Sequence, residues 1–298
     1  FSRGCESLGN AHYDNVFGAE QIQERIVPHT TGAGTDFLQN VKPVLDTRCV
    51  VCHGCYDAPC QLKLSSPEGI DRGLSKDLVY DGTRLLATTP SRLLFDATDT
   101  KQWREKNFTP VLNERAQTEE ANLAGSVLFN SLVLKQSHEL PVNEVLDDEF
   151  DFSLSRSQTC ATMGEFDRLA DEQPHGGMPY GLPGLTEAER GLIKSWVASG
   201  AADDSDYTLS EREQREVARW ETWFNGESLK QRLVSRYIYE HLFLANIYFS
   251  ESSDSPVSPP DYFKLVRSKT GPGKAIQVIP SRRPFDDPGG DFFYRLQR

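Results

Sequence analysis

Cys49-Val50-Val51-Cys52-His53 is the stretch whose reading decides the fold. In a C-x-x-C-H turn both thiols fall on one side and the imidazole follows directly. The thiols can add across the vinyl groups of a haem, and His53 then stands beneath the ring to ligate its iron. Covalent haem c, tethered through Cys49 and Cys52, is the predicted cofactor.

Two rivals share these residues. Cys49, Cys52, Cys55 and Cys60 also form C-x2-C-x2-C-x4-C, close to the run that holds an iron–sulfur cluster. A zinc site is the third option. His53 and a Met-Pro loop downstream favour haem, because a thiolate cluster needs neither. That loop, Gly177-Met178-Pro179-Tyr180-Gly181-Leu182-Pro183-Gly184, is too rich in Gly and Pro to continue a helix. The chain has two methionines, and Met178 is the predicted distal ligand of the iron; Met163 sits in an ordinary Met-Gly-Glu-Phe context. A thioether opposite imidazole favours ferrous iron and raises the redox potential. His175 is the alternative ligand. Thr186 is placed to cap the next helix with Glu189 completing a capping box, and Leu192, Ile193, Trp196 and Val197 form its buried face.

The 298 residues suffice for one large or two medium domains, and 38% hydrophobic with 26% charged residues is ordinary globular composition. A net charge of -12 argues against binding nucleic acid, whose phosphates need a basic face. No stretch approaches the run of about 18 apolar residues that spans a bilayer. The chain begins at Phe1 without a charged-then-apolar leader and reads as a mature or trimmed product, any export signal being gone. Four of its six cysteines remain beyond the haem pair, which suits two disulfides in an oxidising compartment. Proximity pairs Cys55 with Cys60 and leaves Cys5 with Cys160.

The predicted fold class is mainly α, with a cytochrome c-like haem domain carrying long insertions over residues 1–205. A small α+β segment with short antiparallel strands follows over 206–298. The first thirty residues show no clear periodicity. Phe37, Val41, Val44 and Leu45 predict a helix kinked at Pro43, and residues 119–135 read as one amphipathic helix. A segment at 233–249, apolar on almost every side, predicts a buried helix or one that meets lipid or a partner. Glu240 and His241 adjoin on it, but helical neighbours point in different directions and do not by themselves make an acid–base pair. Short β-type runs at 262–266, 275–279 and 292–296 suit a small antiparallel sheet.

Several longer motifs carry a family resemblance. Cys49 to Leu64, Gly177 to Gly184, Ser235 to Ala245, Leu265-Val266-Arg267-Ser268 and Arg282 to Gly289 resemble the fatty acid cis/trans isomerases, periplasmic c-type haem proteins of Gram-negative bacteria. Members of that family are longer, so the chain resembles their N-terminal portion. The resemblance implies in-place conversion of cis to trans double bonds in membrane phospholipid acyl chains, without a soluble cofactor. It also implies a periplasmic protein in peripheral contact with the membrane surface. An electrophilic ferric iron withdrawing π density is the mechanism a haem suggests for rotation about the double bond. The alternative is a periplasmic electron-transfer cytochrome with a redox partner.

Overall fold

The computed structural model describes residues 2–23, 25, 37–54, 58–81, 84–86, 89, 91–93, 95–140, 145–146, 148, 150–153, 157–203, 209–243, 245–249, 261–279, 281 and 283–298. The chain divides into two compact units, Phe1–Asp206 and Tyr207–Arg298.

The first unit is helical. It opens with α1 (Ser2–Phe17), then a π-helical turn Phe37–Val41 runs into α2 (Lys42–Arg48) and α3 (Val50–His53). A 3-10 turn at Pro59–Gln61 precedes α4 (Pro67–Arg72), and a two-residue ladder pairs β1 (Tyr80–Asp81) with β2 (Arg84–Leu85). Next come α5 (Thr100–Glu105), α6 (Glu119–Ala124), α7 (Val127–Ser137), α8 (Phe166–Glu172) and α9 (Glu187–Ala198). Phe37, Val41, Leu45, Ile70, Val111, Ile193, Trp196 and Val197 lie together in the core. The helical spacing of Ile193, Trp196 and Val197 turns one face of α9 inward, and Trp196 meets Phe37 with ring centroids 5.6 Å apart.

Three sequence expectations need correction in this unit. The N-terminal region forms α1 despite its weak pattern. Gly9 lets that helix approach so closely that a Cβ there would lie 2.1 Å from the Gly164 carbonyl oxygen. Arg115, itself buried, ties it down through an ion pair to Asp14 at 2.9 Å. The single helix read over 119–135 is two: α6 ends at Gly125, and Ser126 caps α7 by accepting from the Phe129 N–H at 3.2 Å. Pro43 does not kink a helix interior; it stands in the first turn of α2, where its missing N–H is harmless.

The second unit packs α10 (Glu211–Phe224) and α11 (Leu229–His241) with the antiparallel pair β3 (Lys264–Ser268) and β4 (Phe293–Gln297). Phe224, Tyr239, Phe263, Leu265 and Leu296 form its core. A buried pair, Arg295 to Glu221 at 2.8 Å, joins β4 to α10, and Glu221 also accepts from the Leu296 N–H at 2.9 Å. The run at 275–279 forms no strand of its own and adds only a bridge from Val278 to Ser268. The helix expected over 233–249 stops at His241. Ile247 instead exchanges both backbone hydrogen bonds with Phe263 at 2.7 Å, and Phe243, Ile247 and Phe249 pack on the core. Tertiary pairing overrides helical propensity there. Among the described residues no helix is long and apolar enough to cross a membrane.

Candidate functional site

The C-x-x-C-H segment folds as a tight turn after α2. The Cys49 N–H donates to the Leu45 carbonyl at 2.8 Å, and the Cys49 carbonyl accepts from Cys52 and His53 at 3.1 and 3.0 Å. Cys49 is half-buried and Cys52 exposed, both as free thiols, while Val51 between them is 74% exposed. Burial pushes the Cys49 thiol up to about 11, with Arg48 opposing.

His53 is buried, and its Nδ1 lies 3.0 Å from the Leu62 carbonyl oxygen. A carbonyl only accepts, so Nδ1 carries the proton and Nε2 keeps its lone pair for a ligand. The Leu64 N–H, donating to the His53 carbonyl at 2.9 Å, fixes the backbone of the same residue. Burial lowers the His53 pKa, with the Leu62 hydrogen bond opposing. An imidazole with Nδ1 anchored to a carbonyl could hold a metal through Nε2.

The loop carrying Met178 lies against this turn. Arg48, the residue before Cys49, donates to the carbonyls of Pro183 and Gly184 at 2.9 and 2.6 Å. Its guanidinium also lies 3.8 Å from Glu189, which closes the capping box of α9 with Thr186. On the other side, the Met178 N–H donates to the Ser131 carbonyl of α7 at 2.9 Å. Gly177 is required where it stands: a Cβ there would lie 2.3 Å from the Lys135 backbone nitrogen. Met178 itself packs on the first core, as does Cys49. Met178, Leu132, Gln136, Glu139, Gly184, Leu185 and Arg190 line a shallow cleft. Beside the loop, Lys135 is buried and its Nζ has no hydrogen-bond partner; burial lowers its pKa.

The disulfide expectation fails. Cys60 is bonded to Cys160, with Cα atoms 5.5 Å apart and 100 residues between them in sequence, in place of the Cys55–Cys60 and Cys5–Cys160 pairs. The positive φ of Cys60 and Gln61 swings Cys60 away from its neighbours toward the 158–160 segment, where the Gln158 side chain accepts from the Cys60 N–H at 2.8 Å. Cys55, and the side chain of Cys5, lie outside the described residues. With Cys60 oxidised, the four-thiolate run loses a ligand. Among the described residues no group of three or more His, Cys, Asp or Glu is placed to hold a metal ion.

The remaining candidates are apart in role. His175 stacks on Phe150 with centroids 6.2 Å apart. Glu240 is taken by Arg236 at 2.7 Å, and His241 Nδ1 lies 2.7 Å from the Tyr237 carbonyl oxygen, so Glu240 and His241 form no acid–base pair. Sequence reading missed Arg48, Ser131, Leu62 and Lys135. Arg48 had a signal, since it adjoins the pentapeptide; a backbone carbonyl carries none.

The family model for fatty acid cis/trans isomerase matches residues 88–298. The chain belongs to the fatty acid cis/trans isomerase family. The match covers the Met178 loop and all of the second unit, and it begins after the C-x-x-C-H turn. Neither the curated proteins nor the solved structures give a match.

Proposed function

We propose that the first unit is a cytochrome c-type haem domain and that the chain serves haem-dependent cis-to-trans isomerisation of unsaturated acyl chains in membrane phospholipids. The observation that carries this reading is the His53–Leu62 hydrogen bond, which sets an imidazole for iron beside two free thiols, in a chain of the isomerase family. A bound haem would supply an electron-poor ferric iron, the chemistry that can weaken a cis double bond enough for rotation. Cys49 and Cys52 would tether the group, and His53 would ligate its iron. Met178, on a loop that Ser131 and Arg48 hold at its two ends, would offer its thioether to the iron as well. A loop able to move Met178 away would leave room there for an acyl chain.

The Cys60–Cys160 disulfide supports an oxidising compartment such as the periplasm. For contact with the bilayer, the outer face of α11 replaces the expected 233–249 helix. Leu229, Leu233 and Tyr237 recur there at four-residue spacing and are strongly exposed, with Lys230 and Arg232 flanking them to meet anionic headgroups. No observation favours the electron-transfer alternative over the family assignment.

The test is spectroscopic and kinetic. The chain, produced with cytochrome c maturation, retains a haem c spectrum after acid–acetone extraction. Met178→Ala then preserves or raises conversion of cis acyl chains; a severe loss would mean that Met178 acts by tuning potential instead. Loss of all colour on extraction would overturn the haem reading.

A further inference from the structure

Lys135 is the anomaly that the proposed reaction leaves unused. It sits near the C-terminal end of α7, is only 2% exposed, and its Nζ has no hydrogen-bond partner. Other buried cations among the described residues have acceptors: Arg25 pairs with Asp71 at 2.8 Å, Arg115 with Asp14 and Glu20 at 2.9 Å and Arg295 with Glu221 at 2.8 Å, while Arg72 donates to the Ser91 carbonyl at 2.7 Å and Arg267 to the Asp286 carbonyl at 2.8 Å. An ammonium taken out of water without an acceptor is strongly disfavoured, so a chain that keeps one there has a use for it.

Its position says what the use is. Ser131 and Lys135 are one helical turn apart on α7, so they share a face. Ser131 anchors the Met178 N–H on that face, and Gly177 rides directly over the Lys135 backbone. The lysine stem then runs beneath the end of the loop, where a Cβ on Gly184 would lie 3.7 Å from Lys135 Cγ. Gly184 is also where Arg48 reaches across from the C-x-x-C-H turn, at 2.6 Å. Lys135 therefore borders the loop that the proposed haem reading places at the iron, near the Gly184 end that Arg48 also holds.

We propose that the Lys135 ammonium is the counter-charge for a carboxylate of the group seated against the Met178 loop. The inference rests on that loop bordering the functional site. Two sources offer this chemistry: a haem propionate, and the headgroup of a free fatty acid. A single ammonium matches one carboxylate, and pairing satisfies both charges inside the fold.

The experiment uses the haem-loaded chain with Lys135→Met and Lys135→Arg, and its two arms separate the sources. The first follows the midpoint potential against pH. An opposite charge within about 4–6 Å depresses a carboxyl pKa by one unit or more. If the partner is a propionate, K135M moves the bend in that profile upward by about one pH unit, tenfold in the acid constant, lowers the melting temperature, and K135R restores both. The second arm titrates oleate and methyl oleate by tryptophan fluorescence. If the partner is a fatty acid, K135M weakens oleate tenfold or more and leaves methyl oleate unchanged. A K135M protein with the potential profile and oleate affinity both unmoved, whatever its melting temperature, overturns the proposal. Failure of the haem reading is separate: it shows as a wild-type chain without covalent haem, and the oleate arm still decides the role of Lys135.

Discussion

Gly177→Ala tests whether the Met178 loop is held as described. The new Cβ would lie 2.3 Å from the Lys135 nitrogen, 2.6 Å from Lys135 Cα and 2.9 Å from the Leu134 carbonyl carbon. All three are backbone atoms of α7, so no side chain can rotate away. Ordinary contact needs about 3.5–4.0 Å, so the loop must lift by roughly an ångström. Overpacking of this kind costs about 1–3 kcal/mol. Lifting also breaks the Met178 N–H to Ser131 hydrogen bond, worth about 1 kcal/mol. The sum is about 2–4 kcal/mol, or roughly 5–15 °C in melting temperature for a unit of this size. Calorimetry on the haem-loaded chain measures it, and a weakened band near 695 nm in the ferric form reports the Met178 ligand loosening with its loop. Gly191→Ala is the control: nothing lies within 4 Å of a Cβ there, inside α9, and the change is expected to stabilise by about 0.5–1 kcal/mol. A G177A melting temperature within about 1 °C of wild type would refute the packing argument.

Three further outcomes follow from the same contacts. Peptide mapping without reduction links Cys60 to Cys160, and replacing both by Ala costs about 2–5 kcal/mol in denaturant titration because the bridge closes a 100-residue separation; a Cys55–Cys60 peptide would contradict it. In protein made without haem attachment, iodoacetamide labels Cys49 slowly at pH 7, since a thiol at about 11 is only about one part in 10⁴ thiolate, and its rate climbs until pH 11; fast labelling at pH 7 would show the thiol is not buried. Burial alone would raise the Glu165 carboxyl, but hydrogen bonds from Lys76 and the Thr162 N–H hold it below its ordinary value of 4.5. Its contribution is therefore present above that value and lost as pH falls through the folded pKa, so Glu165→Gln lowers stability at pH 7 by about 1 kcal/mol, with Lys76 half in water, and leaves it unchanged near pH 2; an equal loss at both pH values would exclude the charge as the cause.

What the sequence made legible is local. The C-x-x-C-H turn, the Thr186–Glu189 capping box and the inward face of α9 depend on residues a few positions apart, and each stands where the pattern put it. Long-range pairing left no such trace. α1 has weak propensity and is held by Gly9 against Gly164 and by Arg115. The segment after His241 reads as helix and is drawn out by Phe263, which lies beyond residues 250–260 in sequence. Proximity suggested Cys55 for Cys60, yet the left-handed backbone at Cys60 and Gln61 turned the thiol toward a partner 100 residues away. At the site, Cys49, Cys52, His53 and Met178 stand out in the sequence, whereas their surroundings do not: a carbonyl at Leu62, a backbone oxygen at Ser131 and an orphan ammonium at Lys135 carry no sequence signature.

The central claim joins His53 to the isomerisation, and one measurement addresses it directly. Haem-loaded chain and its His53→Ala variant are incubated with vesicles of cis-vaccenoyl phospholipid, and trans acyl chains are read by gas chromatography. Accumulation of trans product with the wild type and none with H53A is the predicted result. Equal trans product from both proteins would contradict the account.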